Sequence, residues 1–528
     1  MLFRPRSSSL ASLSTFLLSL TSFLLTTLGV AFAQANSAEV TALKFAQQAL
    51  PLGSAAYGNG SSNAIVTGDF NNDGILDVVT VNGIPSGLNV SFFKGLGGGR
   101  FSTTPVNSSI NGSQAGGPAF AADFNSDGKL DLAIGAGQGL SSSTGPVTIM
   151  LGNGDGTFTQ GQSITVNTSS GGGNATAIAL ADFNGDHIPD IAVSDGYAGY
   201  TWIYLGKGDG TFTLAGTQKF GGNSVVAGDF NADGKQDVAF ASGTGSGGDT
   251  VGVFLGNGNG TLNSPVLATI TGGTGSVSGT SGLAVGDFYN DRIQSLAVLY
   301  SSGQPDENYS TYLVTLKYSN GQLLMGALNQ VTGPQAEGPS YVFGGDLNGD
   351  FVDDVFITGG GYYENPLTQY MRGNGDGTFQ SPQNTAYDTQ GTTFVYPIIR
   401  DLNLDSRHDV SIAWSNVEDD NGGGDVLINK NATPNCAPPL ANALGVHICA
   451  PASGASIDKL YTFKGAGNAF NGIAKRMELW IDGAKVGQNL EDQLNVTTTL
   501  EAGTHTASFV VVDSFDSHTS SSVTFTTK

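Results

Sequence analysis

The sequence has 528 residues, of which 21 are basic and 44 are acidic, so the formal net charge is −23. Charged residues make up only 12% and there are 78 glycines, which argues against long surface helices and favours many short strands joined by turns. The acidic balance argues against a nucleic-acid partner, because phosphate binding requires clustered lysine and arginine, and it suits the binding of cations.

The N-terminus has the organisation of a secretory signal peptide. Arg4 and Arg6 precede an apolar, leucine-rich stretch, and small residues follow it. This order predicts cleavage after Ala33 or Ala35. The alternative is a transmembrane anchor, but the apolar stretch of about 15 residues is shorter than the ~20 that a span requires. We therefore predict residues 1–35 as a signal peptide and expect a secreted or extracytoplasmic protein without a transmembrane span.

One nine-residue loop recurs along the chain and determines the predicted fold. It reads Asp-Phe-Asn-Asn-Asp-Gly-Ile-Leu-Asp from Asp69, and related loops begin at Asp123, Asp182, Asp229, Asp287, Asp346 and Asp401. The first aspartates of successive loops are 47 to 59 residues apart. A period of this size suits a four-stranded propeller blade.

The first six units also contain a Gly-rich turn before the fourth strand, as in Gly152 to Phe158. The seventh unit has a third strand at Val426 to Ile428 but no such turn after it, whereas Leu43 to Gln47 resembles a fourth strand with no unit before it. We predict that this N-terminal strand completes the last blade, which would remove exposed sheet edges. An open stack of repeats is the alternative. The predicted fold is all-β, with a seven-bladed β-propeller over residues 36–430 closed by the N-terminal strand.

The loops carry oxygen ligands at alternate positions. Positions 1, 3, 5 and 9 are mostly Asp, Asn, Asp and Asp, and position 7 can offer its backbone carbonyl. Calcium takes about six to eight oxygens at about 2.3–2.6 Å. The alternative is that these are solvated turn residues, since Asp, Asn and Gly are common in turns. However, the seven loops hold 21 of the 44 acidic residues, which would repel one another without a bound cation.

We therefore predict about six calcium sites, and we expect no ion in the loop at Asp287, where Tyr289 and Ser295 replace ligands. The predicted ligands are Asp69, Asn71, Asp73, Ile75 and Asp77; Asp123, Asn125, Asp127, Lys129 and Asp131; Asp182, Asn184, Asp186, Ile188 and Asp190; Asp229, Asn231, Asp233, Lys235 and Asp237; Asp346, Asn348, Asp350, Val352 and Asp354; and Asp401, Asn403, Asp405, Arg407 and Asp409. The position-7 residues among them are expected to bind through the backbone carbonyl. Position 12 lies within an apolar strand, so the predicted site is a calcium loop between strands rather than helices.

The loops and the recurring Leu-Gly-x-Gly-Asp-Gly-Thr-Phe turns resemble the FG-GAP or VCBS repeat proteins, whose fold is similar to the seven-bladed propeller of integrin α subunits. The resemblance covers about residues 40–430. It implies that the calcium loops connect the first and second strands of each blade on one face. It also implies a role in adhesion or extracellular recognition.

The composition changes after Lys430, where several prolines mark a linker over residues 431–444. Residues 445–528 contain short alternating strands and resemble a bacterial Ig-like β-sandwich, in which we expect Trp480 to be a core residue. Cys436 and Cys449 are expected to form a disulfide after export; two free buried thiols are the alternative.

The sequence lacks the common catalytic motifs, including a G-x-S-x-G nucleophile elbow and an H-E-x-x-H metal motif. We therefore expect a non-catalytic, exported, calcium-binding propeller that recognises an extracellular protein or carbohydrate. Four variable segments carry aromatic residues or acids and are candidates for that recognition or ordinary solvated loops: 195–200, 306–309, 362–364 and 418–420. The alternative function is an envelope polysaccharide-processing enzyme, a glycoside hydrolase or lyase, since sequence spacing does not reveal a carboxylate pair.

Overall fold

A computed structural model describes residues 45–51, 64–84, 87–111, 116–136, 145–168, 171–172, 175–196, 198–242, 250–271, 277–303, 309–335, 341–359, 367–385, 393–405, 407–416, 421–430, 436, 438–439, 444–469, 474–490 and 492–528. These residues form strands and no helix, which confirms the all-β prediction. Within these ranges, no helical segment exists that is long and apolar enough to cross a membrane. The predicted signal peptide and most of the predicted linker lie outside the described residues.

Seven four-stranded antiparallel sheets are found among the described residues up to Lys430. We number them in the order of their first strands. Their strands are Ala64–Gly68, Asp77–Ile84, Gly87–Phe93 and Val106–Ile110; Gly116–Ala122, Asp131–Ala136, Val147–Gly152 and Phe158–Ile164; Ala177–Ala181, Asp190–Asp195, Tyr200–Gly206 and Phe212–Lys219; Ser224–Gly228, Asp237–Ser242, Thr250–Phe254 and Val266–Thr269; Val277–Gly286, Ser295–Gly303, Tyr309–Ser319 and Gln322–Gln335; Tyr341–Gly345, Asp354–Gly359, Leu367–Met371 and Gln383–Asn384; and Thr393–Arg400, Asp409–Asn416, Asn421–Asn429 and Phe45–Pro51. Two small hairpins pair Gly95–Gly97 with Arg100–Phe101 and Asn167–Thr168 with Gly171–Gly172.

Burial changes from the second to the fourth strand of a sheet. Every residue of Asp131–Ala136 is buried, whereas most residues of Phe212–Lys219 are exposed or half-buried. A strand that is covered on both faces reads as a continuous apolar run, and an outer strand tolerates polar residues. The second strands therefore lie deep between neighbouring sheets, and the fourth strands lie at the outside.

The sheets pack face to face in a closed ring. The first strand of each sheet contacts the first strand of the next sheet, and that of the seventh sheet contacts that of the first. Apolar side chains fill the spaces between sheets, as where Val79 of the first sheet and Leu132 of the second share one buried cluster. A cluster that includes Val78 and Val426 joins the first sheet to the seventh. This cyclic packing of four-stranded sheets is a β-propeller arrangement.

The N-terminal strand completes the seventh sheet. Phe45–Pro51 pairs antiparallel with Asn421–Asn429, so that Gln47 lies opposite Leu427. The predicted pairing is therefore confirmed for the described part of the predicted strand. Gln48 also bonds to the first sheet, since its Nε2 donates to Phe101 O at 2.8 Å and its Oε1 accepts from Phe101 N at 3.1 Å. The N-terminal strand thus links the two ends of the ring.

The C-terminal residues form two sheets that pack against each other. One contains Gly445–Ala450, Leu460–Asn468 and Gln493–Thr499, and the other contains, in spatial order, Ser456–Ile457, His518–Thr527, Gly503–Asp513, Ala474–Ile481 and Ala484–Asn489. Both contribute to one core that includes Phe463 and Leu479. The prediction that Trp480 belongs to the core is wrong. Side chains alternate along the strand, so the half-buried Trp480 lies on the other face, where its indole donates to Glu478 Oε2 at 2.9 Å.

The linker region is tied to the C-terminal sheets by a disulfide. Cys436 and Cys449 are bonded, which confirms the predicted pair, and they are 13 residues apart in sequence. A loop of this length lowers the chain entropy of the unfolded state by an amount worth about 3 kcal/mol in the chain-entropy model.

The C-terminal sheets contact the side of the ring that carries the nine-residue loops. Phe515 is fully buried in an apolar cluster with residues of the second and third sheets, and its carbonyl lies 3.0 Å from His187 Nδ1 in the third loop. On the seventh sheet, Arg400 Nη2 donates to Ala469 O at 3.3 Å. The loops therefore lie next to the C-terminal part of the chain.

Candidate metal centres

In six of the seven loops the backbone turns through two residues with positive φ. Asn72 at position 4 has φ 57° and Gly74 at position 6 has φ 83° in the first loop. Glycine adopts this left-handed region without strain, which explains its presence at position 6 of three loops. His187 and Phe351 also have φ 64° at position 6, so the turn forms without glycine as well.

These turns bring the side chains of positions 1, 3 and 5 back onto the loop backbone. Asp69 accepts the backbone N–H groups of positions 5 and 6, and five further loops repeat both bonds at 2.7–3.2 Å. Asn71 Oδ1 and Asp69 Oδ1 share the N–H of Asp73, each at 3.0 Å. Asp73 Oδ1 in turn accepts from Ile75 N at 3.0 Å. The three side chains thus shape a tight loop with oxygens on its inner side.

The aspartate at position 9 holds the loop to its own sheet. In the first loop Asp77 Oδ2 accepts from Phe70 N at 2.9 Å, and its Oδ1 accepts from Gly95 N, where the Gly-rich segment begins, at 2.7 Å. Five other loops repeat both bonds within 2.7–3.1 Å. All six aspartates are completely buried: Asp77, Asp131, Asp190, Asp237, Asp354 and Asp409. The sequence predicted a ligand at this position but not this structural role.

The environment of position 9 disfavours its ionised form. Burial, followed by repulsion from the aspartates at positions 1 and 5, raises the pKa of Asp77 to about 7, and backbone hydrogen bonds only partly offset this. Asp131, Asp190 and Asp237 have the same pKa, raised by the same causes to about 7. A divalent cation beside these carboxylates would favour their ionised forms.

The seventh loop shows most directly that the predicted donors fit a cation. Asn403 Oδ1 and Asp405 Oδ1, at positions 3 and 5, are buried and accept no hydrogen bond from the described residues. Buried polar atoms without a partner are costly, and a hard cation would satisfy these two oxygens. The donors are carboxylate and amide oxygens, which is the ligand chemistry of calcium.

None of the described loops brings oxygens from three of its carboxylates within 4.8 Å of one another. Among the His, Cys, Asp and Glu side chains of the described residues, only Cys436, His447 and Cys449 bring three ligand atoms within 4.8 Å of one another. Both sulfurs of that group are in the disulfide, so they are not thiolate ligands. The loop carboxylates are instead turned towards backbone amides.

Basic side chains contact position 5 in five loops, which the sequence analysis missed. Lys129 and Lys235 belong to their own loops, and the other three basic residues come from third strands. Lys94 Nζ lies 3.0 Å from Asp73 Oδ2, and Arg372 Nη2 lies 2.5 Å from Asp350 Oδ2. Lys317 Nζ is paired with Asp291 in the fifth loop. The signal that could have found them is a basic residue at the same place near the end of three third strands.

Four loops also bind the Gly-rich turn of the following sheet. Gly156 N donates to Phe70 O at 3.2 Å, and the same bond recurs at three further interfaces at 2.8–2.9 Å. The ring of Phe70 packs edge-to-face on Phe158, 5.7 Å between centroids, and two other interfaces repeat this pair. A Cβ on Gly156 would lie 2.3 Å from the Phe92 ring, so the close approach requires glycine. The two sequence motifs therefore recur together because they form one interface.

A cavity of about 720 Å³ lies at the centre of the ring and is bordered by the C-terminal residues. The first strands supply its apolar walls, including Phe120 and Phe343, and position 8 of four loops supplies polar side chains, among them Gln236 and Asp353. Gln236 is 5% exposed, and no hydrogen-bond partner among the described residues reaches its Nε2. Sequence reasoning missed this cavity because its lining comes from all parts of the ring.

The variable segments suggested for recognition are mostly outside the described residues. In the described part of segment 195–200, Asp195 is 2% exposed and accepts from Ala198 N at 3.0 Å. Tyr200 stacks on Trp202 with 5.8 Å between ring centroids. These two residues therefore support their hairpin rather than form an open binding surface.

Comparison with known proteins gives a partial match. No curated protein matches the sequence. Among solved structures, a Lactobacillus plantarum protein has a TM-score of 0.45 at 11% identity, over 62% of this chain and 86% of its own. The periplasmic gluconolactonase of Pseudomonas aeruginosa has a TM-score of 0.44 at 14% identity, over 65% and 96%. Fibronectin(III)-like modules from Clostridium thermocellum have a TM-score of 0.15 at 18% identity, over 33% and 85%.

The model of the FG-GAP-like repeat matches residues 69–134, 139–193 and 189–240. The matched residues include the loops at Asp69, Asp123, Asp182 and Asp229. The resemblance inferred from the loops and turns is thus confirmed over these residues. The chain therefore carries FG-GAP-like repeats in three places, within a β-propeller repeat fold.

Proposed function

We propose that this chain is an exported, calcium-binding, seven-bladed β-propeller with a C-terminal Ig-like domain, and that it recognises an extracellular ligand without altering it chemically. In this proposal each four-stranded sheet is one blade. The observation that carries it is the recurrence of one oxygen donor set at the same place in six sheets. In the seventh sheet, the buried Oδ1 atoms of Asn403 and Asp405 accept no hydrogen bond from the described residues.

Calcium would be held by positions 1, 3, 5 and 9 of six loops, with the carbonyl of position 7. Its chemistry is to neutralise carboxylates that otherwise repel one another beside the buried position-9 aspartate. The loops contact both the next sheet and the C-terminal residues. Ordering the loops would therefore stabilise both the packing between neighbouring sheets and the contact with the C-terminal domain.

The central cavity is the candidate ligand site. Its volume of about 720 Å³ lies within the range of about 300–1,000 Å³ that small-molecule sites occupy. Phe120 and Phe343 offer apolar ring faces, while Gln236, Asp353 and Arg400 offer hydrogen-bond donors and acceptors. Aromatic faces beside such groups suit a sugar, which has apolar ring faces and many hydroxyls. The cavity therefore favours a small carbohydrate over a protein.

The test is a glycan array with the mature, calcium-loaded protein, together with product analysis of any glycan that it binds. We expect binding without cleavage, and weaker binding by Phe120→Ala and Phe343→Ala. Leu214→Ala is the matched control, because Leu214 is a 54% exposed apolar residue of a fourth strand and does not line the cavity. Release of shortened or unsaturated sugars would instead support the polysaccharide-processing alternative.

A further inference from the structure

One register position of the third strand differs between the sheets: the residue just after the one that lies opposite the residue following loop position 9. It is apolar in four of them, as Leu151, Leu205, Leu255 and Ile428, and basic in three, as Lys94, Lys317 and Arg372. The three basic residues are equivalent in register, because the residue before each lies opposite the residue after loop position 9. All three contact the position-5 aspartate of their own sheet.

Only the fifth loop combines this basic residue with the loss of two ligands. At position 9, Ser295 is 1% exposed and its Oγ donates to Gly286 O at 2.9 Å, so it offers no carboxylate. At position 3, the hydroxyl of Tyr289 lies 3.0 Å from Thr315 Oγ1. The fifth loop therefore does not fit calcium, since two aspartates alone leave most of the six to eight oxygen positions unfilled.

The same replacements create a place for an ammonium group. Lys317 Nζ donates to Asp291 Oδ2 and lies 5.1 Å from the centroid of the Tyr289 ring. An aromatic face attracts an ammonium group, whereas calcium prefers oxygen ligands. The Tyr289 ring is held by the next sheet, where a Cβ on Gly377 would lie 2.3 Å from it.

We propose that the Lys317 ammonium is the resident cation of the fifth loop and takes the place of calcium there. The comparison with other loops rests on the proposed function, but the contact of Lys317 does not.

The first test counts calcium ions per chain by elemental analysis after equilibrium dialysis. The variant Tyr289→Asn, Ser295→Asp, Lys317→Leu restores the complete donor set, and we expect it to bind about one more calcium than the parent. Lys94→Leu is the matched control in the first loop, which already has every ligand. It should bind calcium more tightly without a change in stoichiometry. An unchanged count in the triple variant would overturn the proposal.

The second test uses calcium-free protein, so its outcome does not depend on the proposed function. Lys317→Met should lower the midpoint of thermal unfolding by about 2 °C, because Asp291 loses its counter-charge. Lys459→Met, at an exposed position of the C-terminal sheets, should leave the midpoint unchanged. Equal midpoints for the parent and Lys317→Met would show that the lysine does not serve as the cation of this loop.

Discussion

Asp73 and Asp291 both occupy position 5, but their loops differ in the other ligands. Asp73→Ala removes a central carboxylate from a loop with every donor, and two remaining acids bind a hard cation poorly. We expect the measured calcium stoichiometry to fall by about one and the thermal midpoint to fall with it. Asp291→Ala should leave the stoichiometry unchanged. Isothermal titration of both variants beside the parent checks this, and an equal loss from both would contradict our assignment of ligands.

Glu478 is a buried carboxylate that three donors keep ionised. Arg476 Nε, Trp480 Nε1 and Lys485 Nζ lie 2.8, 2.9 and 2.7 Å from its oxygens. Burial acts to raise the pKa of Glu478, but these hydrogen bonds outweigh it and hold the pKa at about 2, below the usual 4.5. Its stabilising contribution is therefore present above pH 4.5 and is lost as the pH falls through about 2.

We expect Glu478→Gln to lower the free energy of unfolding by about 2 kcal/mol at neutral pH, since hydrogen bonds to a charged group are lost. The difference from the parent should shrink as the pH falls towards 2. Denaturant unfolding followed by tryptophan fluorescence measures both quantities. Glu501→Gln, at an exposed position, is the control. A pH-independent difference would show that the charge of Glu478 is not what stabilises the sheet.

At the scale of the strand, Asn429 replaces the missing Gly-rich turn of the seventh unit. Its backbone N–H donates to Asp409 Oδ1 at 2.7 Å, as the first residue of the Gly-rich segment does in other sheets. Its side-chain amide donates to Leu347 O at 2.7 Å. Leu347 is at loop position 2, and in four other loops the carbonyl at this position accepts from a glycine of the next turn. Asn429 therefore makes two bonds that two glycines make in the complete units.

Asn429→Ala should lower the free energy of unfolding by about 1–3 kcal/mol, because the buried Leu347 carbonyl loses its partner while the backbone bond stays. Denaturant unfolding of the variant beside Asn263→Ala, at an exposed position before the fourth strand of the fourth sheet, measures the effect. If both variants match the parent, the side-chain bond is not needed to join the sixth and seventh sheets.

Local patterns account for what the sequence predicted. The strand order, the N-terminal partner of Val426 to Ile428 and the disulfide follow from repeat counting, strand periodicity and cysteine arithmetic. The prediction that Trp480 is a core residue is wrong, although a local pattern contains the answer. Side chains alternate along the strand, so Trp480 lies on the face opposite Met477, Leu479 and Ile481. The bonds from four loops to the next turns join residues up to 89 positions apart and depend on how sheets stack, which a single unit does not reveal.

At the scale of the whole molecule, calcium should stabilise the ring strongly. Calcium that binds only the folded state contributes about 2.7 kcal/mol per site at 100 times its Kd. Six loops with three or more carboxylates each would make the effect large. We expect a clear rise of the thermal midpoint when calcium is added to chelator-treated protein, measured by circular dichroism. Magnesium at the same concentration is the control, and equal midpoints with and without calcium would contradict the proposed sites.

The direction of the N-terminal strand has a mechanical consequence. Phe45 lies opposite Asn429, and Pro51 lies opposite Gly423 at the other end of the pair. Residues 44 and 430 therefore lie at the same end of this strand pair. Tension applied between them would load one hydrogen bond at a time rather than all of them in parallel. We expect single-molecule stretching between residues 44 and 430 to open this joint at low force while the other sheets stay intact. An anchored molecule under tension would then release its N-terminal strand first.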